Sequence, residues 1–284
     1  MKQIRLLSVL LCLAVLLSAC GGQPAATEAP AATEAPAATE TLAATEAQSA
    51  SLNVFAAASL TESFTEIAGK FEADHPGVKV NLNFGASQDL SNQIISGAPA
   101  DVFASASPKP MTTLVEKGVV TEDASKIFVT NALVVVMPED NPAGITTLQD
   151  LAKTGIRVVL AAKEVPIGGY AVNFLENASK DAAFGSDFAE KVLKNVVSYE
   201  KDVKAVRSKV ELGEADAGIV YSTDITGAKL QKIEIPEALN VIAKYPIAVI
   251  PTTTQPDLAK SFMDYVLSAN GQDILGKYGF TPAQ

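Results

Sequence analysis

The chain has 284 residues, with 22 basic against 32 acidic side chains for a net charge of −10, and only one histidine and two cysteines. An acidic chain without a basic cluster is a poor match for nucleic acid, whose phosphates require concentrated lysine and arginine. So few histidines and cysteines leave little for imidazole- or thiolate-based metal sites, while the length allows one large domain or two modest ones.

At the N-terminus, Lys2 and Arg5 precede an apolar run up to Leu17, followed by Ser18-Ala19-Cys20. The charged start, short apolar run and small-residue exit mark residues 1–19 as an export signal, shorter than the ~20 apolar residues that cross a bilayer. Leu17-Ser18-Ala19-Cys20 resembles a bacterial lipobox, which implies cleavage before Cys20 and lipid on that cysteine. A disulfide at Cys20 would need Cys12, which lies inside the removed segment, so the mature chain is expected to lack disulfides, cysteine metal sites and a thiol nucleophile. From Thr27 to Ala50 a six-residue unit occurs four times, marked by Glu28, Glu34, Glu40 and Glu46. Its alanine, threonine, proline and glutamate cannot offset the entropy of ordering, and Pro30 and Pro36 oppose a helix. Residues 20–50 therefore read as a lipidated tether, whose flexible part reaches roughly 30 Å. Residues 51–284 keep 20 basic and 28 acidic side chains, a net charge of about −8.

Apolar strands are expected at 52–57, 78–84, 101–106, 127–137, 157–162, 216–221 and 245–250. Helices are expected at 60–74, 87–97, 109–117, 147–153, 169–178, 186–195, 202–212, 256–268 and 271–278. This alternation predicts an α/β fold with largely parallel strands. The extended segments 131–138 and 245–251 each end at a proline and read as crossings between two lobes. Lobe 1 would hold 51–131 with 246–284, and lobe 2 would hold 132–245. The sequence equally allows both segments to be core strands of one sheet.

Five segments next to strand ends or helix starts offer hydrogen-bond donors. Ser59, three residues before Glu62, forms a capping-box pattern after three alanines. Ser87 opens a helix after Gly85-Ala86, and Val165-Pro166-Ile167-Gly168-Gly169 is a turn able to aim backbone N–H groups. Asp202 can cap the following helix and leave the Val203 amide free, and Tyr221 ends a strand. Each alone reads as an ordinary cap or loop. Together they describe a site for an anion at helix starts.

Val54-Phe55-Ala56-Ala57-Ala58-Ser59-Leu60, Gly97-Ala98-Pro99-Ala100-Asp101-Val102-Phe103, Gly218-Ile219-Val220-Tyr221 and Tyr278-Gly279-Phe280 closely resemble the molybdate-binding proteins of bacterial ABC importers. The resemblance covers nearly all of residues 51–284. It implies the two-lobed, hinged type II solute-binding fold with molybdate or tungstate in the interlobe cleft. Matched motif to motif, it places the oxyanion contacts on Ser59, Ser87, Ile167, Val203 and Tyr221. Ile167 departs from the smaller residue common in relatives, and its backbone N–H is the expected donor. The implied partners are a membrane permease and a separate ATPase subunit, with no cofactor beyond the transported ion. The implied protein is a monomer, lipid-anchored at the outer face of the cytoplasmic membrane or in the periplasm.

Molybdate near neutral pH carries no proton, so donors alone suffice to hold it. Phosphate keeps a proton and would want an acceptor, which none of the five contacts supplies. Sulfate matches molybdate in charge, so only pocket size separates them. A serine hydrolase using Ser59 or Ser87 is the reading from another class, but His75 is the only histidine and neither serine sits in a Gly-x-Ser-x-Gly elbow. A cation site would have to rest on carboxylates such as Asp101, which reads as a structural residue near the lobe junction. A purely structural surface lipoprotein leaves the donor segments unexplained.

Overall fold

Two mixed sheets with flanking helices organise residues 50–283, the part of the chain that the computed structural model describes. The expected signal at 1–19, the lipidated Cys20 and the tether up to residue 49 lie outside the described residues. The elements run β1 (Ala50–Ala57), α1 (Thr61–Asp74), β2 (Val78–Gly85), α2 (Ser87–Ile95), β3 (Val102–Ala104), α3 (Pro108–Glu116), β4 (Lys126–Asn131), β5 (Leu133–Pro138), β6 (Val158–Ala161) and α4 (Pro166–Ala178). They continue with α5 (Phe188–Lys194), β7 (Val196–Glu200), α6 (Val203–Glu211), β8 (Ala217–Tyr221), β9 (Leu230–Glu234), β10 (Ala243–Val249), α7 (Pro256–Leu267), α8 (Ala269–Lys277) and β11 (Thr281–Pro282).

The first sheet has the order β11-β4-β10-β3-β1-β2 and the second β7-β6-β8-β5-β9. In the first, β1 runs parallel to β2 and β3. In the second, β6 runs parallel to β7 and β8. These two parallel triplets matter for function, because the carboxyl ends of parallel strands are where open α/β sheets bind ligands.

The expected strand 127–137 is in fact two strands in different sheets, broken at Ala132. There the Ala132 N–H donates to Asn131 Oδ1 at 3.0 Å and its carbonyl accepts from Ser222 N–H at 2.8 Å, so one residue carries the chain from sheet to sheet. The single-sheet alternative is thereby excluded for this segment. The other crossing segment, in β10, stays within the first sheet, antiparallel to β3 and β4. Ala50, assigned to the tether by its composition, is the first residue of β1 and pairs with Val78 of β2. The expected helix at 147–153 is a short 3-10 turn, Leu148–Ala152, held by a capping box between Thr147 and Asp150.

β7, β9 and β11 were not foreseen, and all three are sheet edges. Val197 and Tyr199 of β7 are each 56% exposed, so no buried face imprints an apolar run on that sequence.

Aromatic packing sets the core of the first half. Phe64 and Phe71 on α1 meet Phe262 of α7 with ring centroids 6.3 and 5.2 Å away, and Phe64 also meets Phe128 of β4 at 6.0 Å. In the second half, α6 lies directly on β8, where a Cβ at Gly218 would sit 2.9 Å from Val210 and 3.0 Å from Val206. The missing side chain lets the helix approach the strand and brings its first turn beside the end of β8. Phe64 is fully buried. Phe64→Ala should therefore cost about 3–5 kcal/mol of stability, read as a lower urea midpoint with unchanged secondary structure.

Candidate functional site

The carboxyl ends of β1, β2 and β3 face those of β6, β7 and β8 across a small recess of about 210 Å³, mouth included. Ser59, Ser87, Ile167, Val203 and Tyr221 all line it. The expected lipidation residue Cys20 lies outside the described residues.

Ser59 sits in a 3-10 turn, Ala58–Leu60, between β1 and α1. It is not the cap of α1. The extra turn moves the cap position to Leu60, which makes no side-chain cap bond. Glu62 turns instead to the Lys204 ammonium, at 2.7 and 2.8 Å. The expected capping box is therefore absent, and the Ser59 hydroxyl meets the Tyr245 hydroxyl at 3.0 Å. Ser87 is the first residue of α2, 1% exposed, and its Oγ accepts the Ala106 N–H at 3.0 Å. That bond leaves its own proton free to donate.

Pro166 and Ile167 open α4. Proline suits the first helical position because that N–H has no helical partner. The Ile167 side chain is buried in the core, so the residue can offer the recess its backbone. Gly168 is required at the next position, since a Cβ there would lie 2.1 Å from the Ala162 carbonyl oxygen and 2.5 Å from that of Ala161. On α6 the expected cap is present, with Asp202 Oδ1 accepting the Ala205 N–H at 2.9 Å. The Val203 amide, one position into the helix, belongs to the first turn that has no helical acceptor.

Tyr221 ends β8 with its side chain 1% exposed, and its hydroxyl is buried without a hydrogen-bond partner. Burial pushes that hydroxyl well above the ordinary tyrosine range, so it keeps its proton. A buried unpaired donor costs about 1–3 kcal/mol. Such a group points to an acceptor that arrives from outside.

The lining holds no lysine or arginine; Asp202 is its only charged side chain, a carboxylate the sequence reading treated as a cap alone. Three helix starts, those of α2, α4 and α6, contribute to the wall. At about half a positive charge each, they supply roughly +1.5 to an anion in contact with them.

Behind the wall, Lys204 links Glu62 of α1 to Asp224, whose Oδ1 is 3.3 Å from the ammonium, and Arg207 approaches Glu62 at 3.8 Å. Burial pushes the Asp224 carboxyl up to about 6 against the pull of Lys204. Burial also acts to raise Glu62, but Lys204 and Arg207 bring it below its usual range.

His75 stacks on Phe71 at 4.0 Å, and its Nε2 lies 3.5 Å from Ser261 Oγ, not from Ser59 or Ser87. Asp101 accepts from Asn53 N–H at 2.6 Å and Thr253 Oγ1 at 2.5 Å, which ties β1 to the loop after β10. Among the described residues no group of three or more histidine, cysteine, aspartate or glutamate side chains could hold a metal ion, and no helix is long and apolar enough to cross a membrane. Sequence reasoning missed Tyr245, Asn131 and Lys204. The available signal was a polar residue inside an apolar segment, Asn131 and Tyr245 at the mouths of the two crossings, since buried polar groups are rarely left without partners.

Two sheets joined by short crossings, with amide and hydroxyl donors gathered where their strands end, define a solute-binding protein of the two-lobed type. The family model for bacterial extracellular solute-binding proteins matches residues 52–281. The molybdate-binding protein ModA of Mycobacterium tuberculosis is 39% identical over 232 residues, covering 81% of this chain and 84% of that protein. A putative ABC transporter substrate-binding lipoprotein, YvgL of Bacillus subtilis, is 32% identical over 82% of this chain and 87% of its own. Among solved structures, the substrate-binding domain of a putative molybdenum ABC transporter from Clostridium difficile superposes with a TM-score of 0.63 at 33% identity, covering 83% of this chain and all of that one. The chain belongs to the bacterial extracellular solute-binding protein family.

Gly168→Ala should push the start of α4 off the end of β6 and lower stability by about 1–3 kcal/mol. Gly169→Ala, whose new Cβ would lie 3.4 Å from the Lys163 carbonyl oxygen, should cost much less. Thermal melts of the two variants side by side check the difference.

Proposed function

We propose that this protein captures molybdate, and with it tungstate, outside the cytoplasm and delivers it to an ABC permease driven by a separate ATPase subunit. The observation that carries this reading is the unpartnered Tyr221 hydroxyl, fully buried at a recess without cations. A doubly negative, proton-free tetrahedral ion satisfies that hydroxyl, the Ser59 and Ser87 hydroxyls and the first-turn amides of Ile167 and Val203 together. The relatives named for molybdate support the choice among oxyanions.

On this reading the five residues are the ligand contacts, and no cofactor or catalytic step is involved. Residues 51–131 with 246–284 form one lobe and 132–245 the other, except that Ala243–Tyr245 pair with β4 and so go with the first lobe, and both close on the ion because each contributes donors. The protein acts as a monomer, exported and held at the membrane by lipid on Cys20 through the low-complexity tether. Phosphate is disfavoured because its proton would meet donors; the lone carboxylate in the lining, Asp202, already caps α6 with its Oδ1.

Calorimetry at pH 7 should show binding of molybdate and tungstate, weaker binding of sulfate and little of phosphate. Absence of molybdate binding would sink the reading. Because burial keeps Tyr221 protonated, molybdate affinity should stay flat from about pH 7 to 9. Tyr221→Phe gives opposite signs in two assays. The empty protein should gain about 1–3 kcal/mol of stability, since a buried orphan is removed, while molybdate affinity falls at least about tenfold.

A further inference from the structure

We infer that Asn131 and Tyr245 fix the direction of the Ser59 hydroxyl, making it a donor to the captured ion and so adding to the rejection of anions that carry a proton. The inference rests on the oxyanion reading above. Neither residue lines the recess; both act through Ser59 as positioning residues.

Asn131 is the last residue of β4, where the chain leaves the first sheet, and β10 returns beside it, with Ala243 opposite Asn131 and Tyr245 opposite Val129. Asn131 Oδ1 accepts the Ala132 N–H at 3.0 Å and the Ser222 hydroxyl at 2.9 Å. A backbone N–H can only donate, so the oxygen of this amide must be on that side and the nitrogen on the other. Nδ2 then donates to Thr223 Oγ1 at 2.9 Å and to Tyr245 Oη at 3.4 Å.

Tyr245 is fully buried, and its hydroxyl makes two hydrogen bonds, with the Asn131 amide at 3.4 Å and with Ser59 Oγ at 3.0 Å. Burial raises it far above the ordinary tyrosine range, so it holds its single proton. Facing a donor on one side, it sends that proton to Ser59, because the opposite arrangement would leave a buried O–H unpaired. Ser59 Oγ, having accepted, keeps its own proton for the recess.

Ser87 reaches the same polarity by a separate route, through the Ala106 N–H at 3.0 Å. With the unpartnered Tyr221 hydroxyl, all three hydroxyls at the recess become donors. A proton-free ion meets a donor at each of these three hydroxyls, whereas hydrogen phosphate presents its O–H to groups that already point a proton at it.

The test is the ratio of molybdate to phosphate affinity at pH 7, by calorimetry or competition, in wild type, Tyr245→Phe and Asn131→Asp. In Tyr245→Phe the Ser59 hydroxyl is free to turn and accept, so the ratio should fall about tenfold. Asn131→Asp has the same shape but replaces the amide donor with an acceptor. Tyr245 then donates to the introduced carboxylate, Ser59 donates to Tyr245, and lone pairs face the recess, so the ratio should fall at least as far. The added charge by itself repels the molybdate dianion more than the singly charged fraction of phosphate, so the charge-neutral Tyr245→Phe is the deciding variant and Asn131→Asp is read beside it. Melting curves without ligand check that each variant is folded, and the result for Tyr245→Phe decides. A ratio within about twofold of wild type, with molybdate bound tightly by wild type, overturns the relay and leaves the oxyanion reading intact; equal weakening of both anions does the same, since general loosening does not discriminate. Failure of wild type to bind molybdate overturns both.

Discussion

A doubly charged anion held without a cation by an acidic protein needs peptide and hydroxyl dipoles in direct contact with it. The distributed negative charge of the domain acts over distances comparable with the screening length of about 8–10 Å, whereas dipoles at the recess act at contact. Three helix starts and three hydroxyls can therefore prevail against the wider field. The requirement governs the architecture: helix starts converge only if the preceding strands end at one place, which the parallel triplets β1, β2, β3 and β6, β7, β8 provide.

Packing serves the same end. α4 can begin against the end of β6 only because Gly168 has no side chain, and α6 can lie on β8 only because Gly218 has none. Alanines 57, 58, 86 and 106 line the recess and keep bulky side chains out of the space where the proposed ion would sit. These small residues forgo apolar burial locally, and the aromatic cluster of Phe64, Phe71, Phe128 and Phe262 beneath α1 compensates where no ligand must enter. The unpaired Tyr221 hydroxyl is a further local cost, set where a bound ion would relieve it.

Much of this was legible in the sequence because it rests on short-range signals. Strands with a buried face, helices with apolar spacing and serines or aspartates at their starts were found nearly in register. Ser59 was found for a partly mistaken reason, since a 3-10 turn displaces it from the cap and Glu62 serves Lys204 instead. The edge strands β7, β9 and β11 left no apolar imprint. Asn131 and Tyr245 could not be joined by inspection, being 114 residues apart, and their meaning depends on the Ala132 N–H fixing which end of an amide faces which way.

The ion pairs behind the recess show why the ligand must supply what they lack. Glu62 and Lys204 retain 44% and 24% of their side-chain exposure, and pairs of that kind are worth about 0–1 kcal/mol. Asp224, fully buried beside Lys204, adds a desolvation cost that the ammonium offsets only in part, as its raised carboxyl shows. The ion pairs that link α6 to α1 are thus near break-even and add little to the net stability of that contact. An ion that draws on Ser59 from one side and Val203 from the other would tip that balance, which makes the absence of a permanent counter-ion an advantage. A lysine in the recess would hold the two sides together whether or not the ion were present.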